Sequence, residues 1–268
     1  MSVYTKGPIT LRLGDYRETL ADVEPDAVIT DPPYGARTHA GHNAGVSGTK
    51  SAKGGRAARR AGELETQDAW IDGSQRQTLS YGEWCGAHVA AFAGWAAQCR
   101  GWVCVMSCDG LAPYYRARLE AGGRCGFAPL PIVIPGMTVR LMGDGPSSWS
   151  VSLNVARPRG APFSKWGTLP GYYCAPREAG HIGGKPLAIM RAIVRDYSRP
   201  GDLVCDPCAG GATTLIAAAL EGRRAIGAEL DPDTYEKACA RIERTALTPP
   251  LPGLERAPMD GTQGGLDL

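Results

Sequence analysis

Asp31-Pro32-Pro33-Tyr34 follows directly on the apolar run Ala27 to Thr30. A carboxylate at Asp31 and the main-chain carbonyl of Pro32 could each accept one N–H bond of an amine conjugated to a flat ring. Holding both would favour a tetrahedral nitrogen whose lone pair is free to attack. Pro32 and Pro33 would keep that carbonyl aimed, and Tyr34 offers a flat face for stacking. A rigid turn in which the acid caps nearby N–H groups would also account for the four residues.

A second constellation lies far along the chain, at Asp206, Cys208, Gly210, Gly211, Thr213, Glu229 and Asp231. A glycine turn between a strand and a helix brings backbone N–H groups close to a ligand, and an acid ending the next strand can hold both ribose hydroxyls. The turn is not G-x-G-x-x-G, so a dinucleotide is poorly indicated.

Alternating strands and helices must position these groups. Ile9 to Asp15 and Ala27 to Thr30 have the pattern of strands ending on acids, Trp84 to Cys99 that of a helix, and Trp102 to Ser107 that of a strand. A helix over about 112–121 and a strand near Pro129 to Ile134 follow. From Pro135 to Gly180 periodicity fails except at Trp149 to Val155. Pro186 then suits a first helical turn, with Leu187, Met190, Val194 and Tyr197 on one face. Strand, glycine turn, helix about 213–221, strand to Glu229 and a helix capped by Asp231 with Pro232 at its first position complete the order. Such alternation predicts an open, mostly parallel sheet covered on both faces.

Composition narrows the class. In 268 residues with 43% apolar content there is material for one sizeable core. No stretch reaches the roughly 18 to 20 uncharged apolar residues of a membrane span, and the first ten residues lack the blocks of an export signal, so a cytoplasmic location is expected. Nine cysteines, odd in number and mostly inside apolar runs, suit reduced core thiols. Cys205-x-x-Cys208 has no second pair at metal-ligand spacing, and no metal is expected. Arg37, Lys50, Lys53, Arg56, Arg59 and Arg60 meet no acid until Glu63, which makes a local positive field suited to phosphate or simply a solvated loop.

The run "LVCDPCAGGATTLIAAALEGRRAIGAELDPDTYEKA" resembles the S-adenosylmethionine-binding motif of the amino-group DNA methyltransferases, usually D-P-F-x-G-S-G-T-T followed by a strand and G-x-E. "GGKPLAIMRAIVRDYSRPGDLV" resembles the lysine-proline helix preceding that motif, and "TDPPYG" resembles the family's catalytic motif. Catalytic motif first and cofactor motif last is the permuted order of the beta class. The resemblance spans roughly residues 9–243 and implies a Rossmann-like methyltransferase fold, with a seven-stranded mostly parallel sheet and helices on both faces. It implies one catalytic domain over 1–248, DNA-contacting insertions at about 36–80 and 136–180, and a disordered tail at 249–268.

On that likeness Asp206, Gly210 and Thr213 would line the methionine side and Glu229 would bind the ribose. Asp15 would lie near the adenine, and Lys185 and Pro186 would open a helix beside the cofactor. Cys208 in place of Phe and Ala212 in place of the second Gly depart from the pattern. Gly211 is expected to supply the backbone freedom that Ala212 lacks.

Asp31, Pro32, Pro33 and Tyr34 would then grip and stack an extruded base, and the basic run from Arg37 to Arg60 would close on phosphates. Arg157, Arg159 and Lys165 fall where the family carries its target-recognition region. The implied activity is site-specific methylation of the adenine N6 amine in double-stranded DNA, as in restriction-modification systems, with a homodimer compatible with the family. Cytosine-N4 methylation and a cofactor-deficient DNA-binding relative are the alternatives.

Overall fold

The computed structural model describes residues 2–35, 82–135, 150–160, 166–178 and 184–247. The basic residues Arg37, Lys50, Lys53, Arg56, Arg59, Arg60 and Lys165 lie outside them, as does the tail at 249–268. Ten strands are seen among the described residues: β1 (Val3–Lys6), β2 (Ile9–Leu13), β3 (Ala27–Thr30), β4 (Trp102–Ser107), β5 (Cys125–Gly126), β6 (Leu130–Val133), β7 (Ser150–Arg157), β8 (Tyr173–Cys174), β9 (Leu203–Asp206) and β10 (Arg224–Glu229). The helices are α1 (Tyr16–Thr19), α2 (Gly86–Trp95), α3 (Ala112–Ala121), α4 (Leu187–Tyr197), α5 (Thr213–Leu220) and α6 (Pro232–Arg244).

All ten strands join one sheet in the order β1-β2-β10-β9-β3-β4-β7-β6-β8, with β5 alongside β7. From β2 to β4 neighbouring strands run parallel, whereas β1 pairs antiparallel with β2 and β7 antiparallel with β4. Seven strands, β2 to β6 in that order, make the expected sheet. Its extensions are the N-terminal hairpin partner β1 and the two-residue strands β5 and β8, which have too few residues to show a period in sequence.

Parallel strands are covered on both faces, so they read as unbroken apolar runs. All four residues of β3 and all six of β4 are buried. Their side chains alternate between two cores. Trp102, Cys104 and Met106 join Ile29 and the residues of α4, α5 and α6 on one face. Val103 and Val105 join Val28, Phe92, Tyr115 and Leu119 under α2 and α3 on the other. Fully burying one Val or Ile contributes roughly 1.5–3 kcal/mol, so β3 alone anchors Asp31 firmly.

Two expectations need correction. The segment 136–180 is not one continuous insertion, because β7 within it lies between β4 and β6 as an integral strand. Pro186 precedes α4 as its N-cap rather than opening its first turn. The nine cysteines are free, as expected, but only Cys99, Cys104 and Cys205 are fully buried.

Candidate active site

The chain passes from β9 to β10 on one side and from β3 to β4 on the other, so the sheet's switch point falls between β9 and β3. Open sheets of this kind bind ligands in the crevice outside the carboxyl ends of the strands at that point. Four of the predicted acids meet there: Asp15 just beyond β2, Glu229 ending β10, Asp206 ending β9 and Asp31 just beyond β3.

Pro32 cannot donate a ladder hydrogen bond, which stops β3 at Thr30 and turns the chain out of the sheet. The Tyr34 hydroxyl donates to Asp31 Oδ1 at 2.8 Å, and Lys185 Nζ donates to Asp31 Oδ2. The Lys185 ammonium also stands 5.3 Å from the centre of the Tyr34 ring. The Lys185 side chain is 8% exposed and that of Asp31 25%. Lys185, expected beside a cofactor, thus binds the catalytic-motif acid. Tyr34 O accepts from Trp84 N at 3.0 Å, which ties this loop to the stretch leading into α2.

Across the switch point Asp206 is 2% exposed. Thr30 Oγ1 donates to its Oδ1 at 2.7 Å, Cys208 N donates to the same oxygen at 3.1 Å, and the Thr214 hydroxyl also binds the carboxylate. Burial pushes its pKa up to about 6 despite these donors, with Asp31 adding a smaller push. Glu229 is raised by burial too. Its Oε2 accepts from Gly210 N at 2.8 Å and its Oε1 from Asp231 N at 2.9 Å, so it bridges the glycine turn and the entrance to α6. Gly227 lets β10 approach this turn, since a side chain there would meet the carbonyl oxygen of Asp206 at 2.9 Å.

The turn departs from expectation at one residue. Gly210 has φ 49°, but Ala212 itself takes the left-handed conformation, with φ 61° and ψ 26°, and opens α5 as its N-cap. Gly211 does not supply the missing freedom. Backbone strain therefore sits on an alanine that is fully buried.

Asp15 caps α1, accepting from Arg17 N at 2.8 Å, and its pKa is lowered by the hydrogen bond from the Arg17 side chain. Gly14 N donates to Glu229 O at 2.8 Å, which places Asp15 next to the end of β10. Asp231 caps α6 by accepting from Thr234 N at 2.8 Å. Thr213 accepts from Arg241 Nη1 at 2.7 Å, and the same nitrogen donates to Gly211 O at 2.6 Å. Neither Arg241 nor Thr30 was signalled by the sequence. Glu178 is a third such residue, accepting from Leu187 N and Ala188 N at 2.9 and 3.4 Å over the start of α4.

Arg157 is not brought to this site, and Arg159 follows two residues beyond it in the chain. β7 runs against β4 with Val103 beside Ala156 and Ser107 beside Ser152, so Arg157 emerges at the amino ends of the parallel strands, away from Asp31. There its guanidinium lies 5.8 Å from the Phe127 ring centre. Among the described residues no group of three His, Cys, Asp or Glu is arranged to hold a metal ion, and no helix is long and apolar enough to cross a membrane.

The site thus offers three carboxylates at the ends of neighbouring strands, Asp31, Asp206 and Glu229, and one nearly buried ammonium, Lys185. Asp206, buried, and Glu229, half-buried, have no adjacent cation among the described residues, which favours a ligand that carries positive charge and hydroxyl donors.

Residues 148–240 match a family model described as DNA methylase. A DNA adenine methyltransferase of Escherichia coli, YhdJ, is 34% identical over 71 residues, covering 26% of this chain and 24% of that protein. The type II methyltransferase M.MthZI of Methanothermobacter thermautotrophicus is 42% identical over 60 residues, 22% of this chain and 17% of its own length. The matched stretches thus span about a quarter or less of those relatives. Among solved structures, the M1.HpyAVI–SAM complex aligns with TM-score 0.57 and 19% identity over 87% of this chain and 99% of that one. The cytosine-N4-specific PvuII DNA methyltransferase aligns with TM-score 0.57 and 15% identity over 89% and 87%. The architecture is the Rossmann-like methyltransferase fold. Together the matches support the class to which the motifs point, the amino-group DNA methyltransferases.

Proposed function

We propose that the protein is an amino-group DNA methyltransferase that transfers a methyl group from S-adenosylmethionine to the N6 amine of adenine in double-stranded DNA. The observation that carries the reading is the meeting of Asp31 with Asp206 and Glu229 at one switch point, from segments about 175 to 200 residues apart. The residues fit the cofactor's chemistry. Its sulfonium and ammonium ask for carboxylates, which Asp206 and Asp31 provide. Its ribose hydroxyls ask for an acceptor, which Glu229 provides once its oxygens let go of Gly210 N or Asp231 N. Its carboxylate asks for a cation, a part Lys185 would play. Asp15, Gly210, Gly211 and Thr213 would complete the cradle, with Cys208 and Asp231 beside it.

When bound, the cofactor supplies a methyl group on a positively charged sulfur. Asp31 and the carbonyl of Pro32 accept the two N–H bonds of the base amine and favour a tetrahedral nitrogen whose lone pair is free to attack. Positive charge grows on that nitrogen as it is alkylated, and the Asp31 carboxylate stabilises it. Tyr34 supports the extruded ring, and the strands behind both groups keep water out. No separate strong base is needed, because the alkylated nitrogen is acidic enough to release its proton.

Cytosine carries an amine with the same two N–H bonds, so N4 methylation would use the same clamp. The decisive experiment incubates the protein with unmethylated duplex DNA and S-adenosylmethionine, digests the DNA to nucleosides and identifies the product by mass spectrometry, with Asp31→Ala as control. N6-methyladenine supports the reading, and N4-methylcytosine replaces the substrate but keeps the mechanism. Absence of any product together with absence of a calorimetric signal for the cofactor would leave only a DNA-binding relative. With such a substrate the protein works in the cytoplasm, where DNA and cofactor meet.

A further inference from the structure

Both oxygens of Asp31 are taken in this structure, Oδ1 by the Tyr34 hydroxyl and Oδ2 by the Lys185 ammonium. A carboxylate oxygen has lone pairs to spare. The ammonium, however, draws negative charge away from Oδ2, and it stands beside the nitrogen that becomes positive as it is methylated. Like charge there opposes the transition state. Asp31 is therefore held in place by two donors, but in a condition unsuited to the reaction.

Lys185 cannot simply swing into water. Its side chain is nearly buried, between Asp31 and the face of Tyr34. Parting a desolvated ammonium from the one anion it pairs with among the described residues is strongly unfavourable unless another anion replaces it. Arg241, the cation at the glycine turn among the described residues, is committed to Gly211 O and Thr213 Oγ1. Among the described residues, an anion arriving at these strand ends would thus have Lys185 as an available partner.

We propose that Lys185 is a latch shared between Asp31 and the carboxylate of the cofactor's amino-acid end. Without cofactor it closes on Asp31; with cofactor it changes partner and leaves Asp31 Oδ2 open to the amine. The inference rests on the methyltransferase reading and adds an order to it, since the acid becomes ready for the base only once the methyl donor is in place. Lys185 acts through Asp31 and is a positioning residue. Because linkage is reciprocal, Asp31 must compete with the cofactor for Lys185.

The competition can be measured without turnover. Calorimetric titration of S-adenosylmethionine into the wild type, Asp31→Asn, Lys185→Met and the double variant gives a cycle, with thermal unfolding checking that each chain folds. Asp31→Asn removes a carboxylate that attracts the sulfonium and so weakens binding directly, in either background. Where Lys185 is present it also frees the latch. The latch therefore requires Asp31→Asn to favour binding about fivefold or more, in the lysine background relative to the methionine background. 5′-Methylthioadenosine, which lacks both the amino-acid end and the charge, must show no such coupling. If Lys185 stays on Asp31 as a fixed brace, Asp31→Asn strands the ammonium beside the sulfonium and the coupling has the opposite sign, which overturns the proposal. Zero coupling overturns it as well. Lys185→Gln replaces Lys185→Met should the latter fail to fold. A wild type that gives no isotherm with S-adenosylmethionine refutes the methyltransferase reading itself, and the latch with it.

Discussion

Asp31 and Asp206 end neighbouring parallel strands, and Thr30, which precedes one, hydrogen-bonds the other, yet the fold treats them oppositely. Asp206 is 2% exposed, and its partners are two hydroxyls and an amide, all neutral. Asp31 keeps a quarter of its side chain exposed and rests on an ammonium. A carboxylate buried without a counter-ion is destabilised until positive charge arrives. One that carries its own cation is already comfortable and must be released. The first is suited to receiving a charged ligand and the second to acting on a substrate only at the right moment.

The harshest way to break this comparison is to change Asp31. Asp31→Asn keeps one acceptor oxygen but loses the charge that stabilises a positive nitrogen. Methyl transfer is expected to fall about 10²–10³-fold, in line with removing one preorganised electrostatic partner from a transition state. Cofactor should still bind, because Asp206 and Glu229 are untouched. Single-turnover rates with radiolabelled cofactor check the first expectation. An unchanged rate would remove Asp31 from the chemistry.

Asp206→Asn tests the other member. Asn can still accept from Thr30 and Cys208 N, so what it removes is the buried charge. The pKa of Asp206 lies near 6 in the folded state instead of 3.8, so the proton binds the folded protein more tightly. The wild type therefore loses stability relative to the amide variant as pH rises from about 4 through 6. The full difference above pH 6 is about 3 kcal/mol, and none remains well below pH 4. Urea unfolding without cofactor at pH 4, 5, 6 and 7.5 gives the profile. The same variant should bind cofactor more weakly, since the carboxylate that awaits its positive charge is gone. A pH-independent difference would mean that Asp206 is not desolvated as the geometry requires.

These contrasts differ in how far the sequence could show them. The two acids are visible because parallel strands covered on both faces read as short apolar runs, and an acid at the end of such a run stands out. Whether a strand runs with or against its neighbours is invisible locally. For that reason the sequence could not show that antiparallel β7 delivers Arg157, expected to contact DNA, to the end of the sheet away from Asp31. Pairing across 154 residues, as between Lys185 and Asp31, leaves no local mark either. Arg241 looks like any solvated base on an amphipathic helix, and only the packing of α6 beside the turn turns it toward Gly211.

Arg241 offers a smaller test on the cofactor side. Arg241→Met leaves the Gly211 carbonyl and the Thr213 hydroxyl without this donor and should cost about 1–2 kcal/mol of stability. Cofactor affinity should fall with it while the Asp31–Lys185 pair is unaffected, so the loss appears in binding and not in the rate at saturation. Chemical denaturation together with calorimetry separates the two. A loss confined to the saturated rate would mean that Arg241 acts on the catalytic half.

The smallest effect is expected at Ala212, and its near-absence is informative. A left-handed alanine carries a strain of roughly 1–2 kcal/mol that glycine does not. Ala212→Gly relieves it, but the β-carbon is wholly buried in the core under α4 and α5, and its loss gives back about 0.8 kcal/mol. Glycine also makes the unfolded chain more flexible, at a further 0.4–1 kcal/mol or so. The three contributions nearly cancel, so unfolding free energy should change by less than about 1 kcal/mol. A position that departs from the motif the turn resembles is therefore expected to be tolerated, because the residue that strains the turn also fills the core beneath it. A bulkier Ala212→Val has no such balance: branching at the β-carbon makes the left-handed conformation far worse, at a side chain that is wholly buried. Its midpoint of unfolding should fall sharply where that of the glycine variant does not.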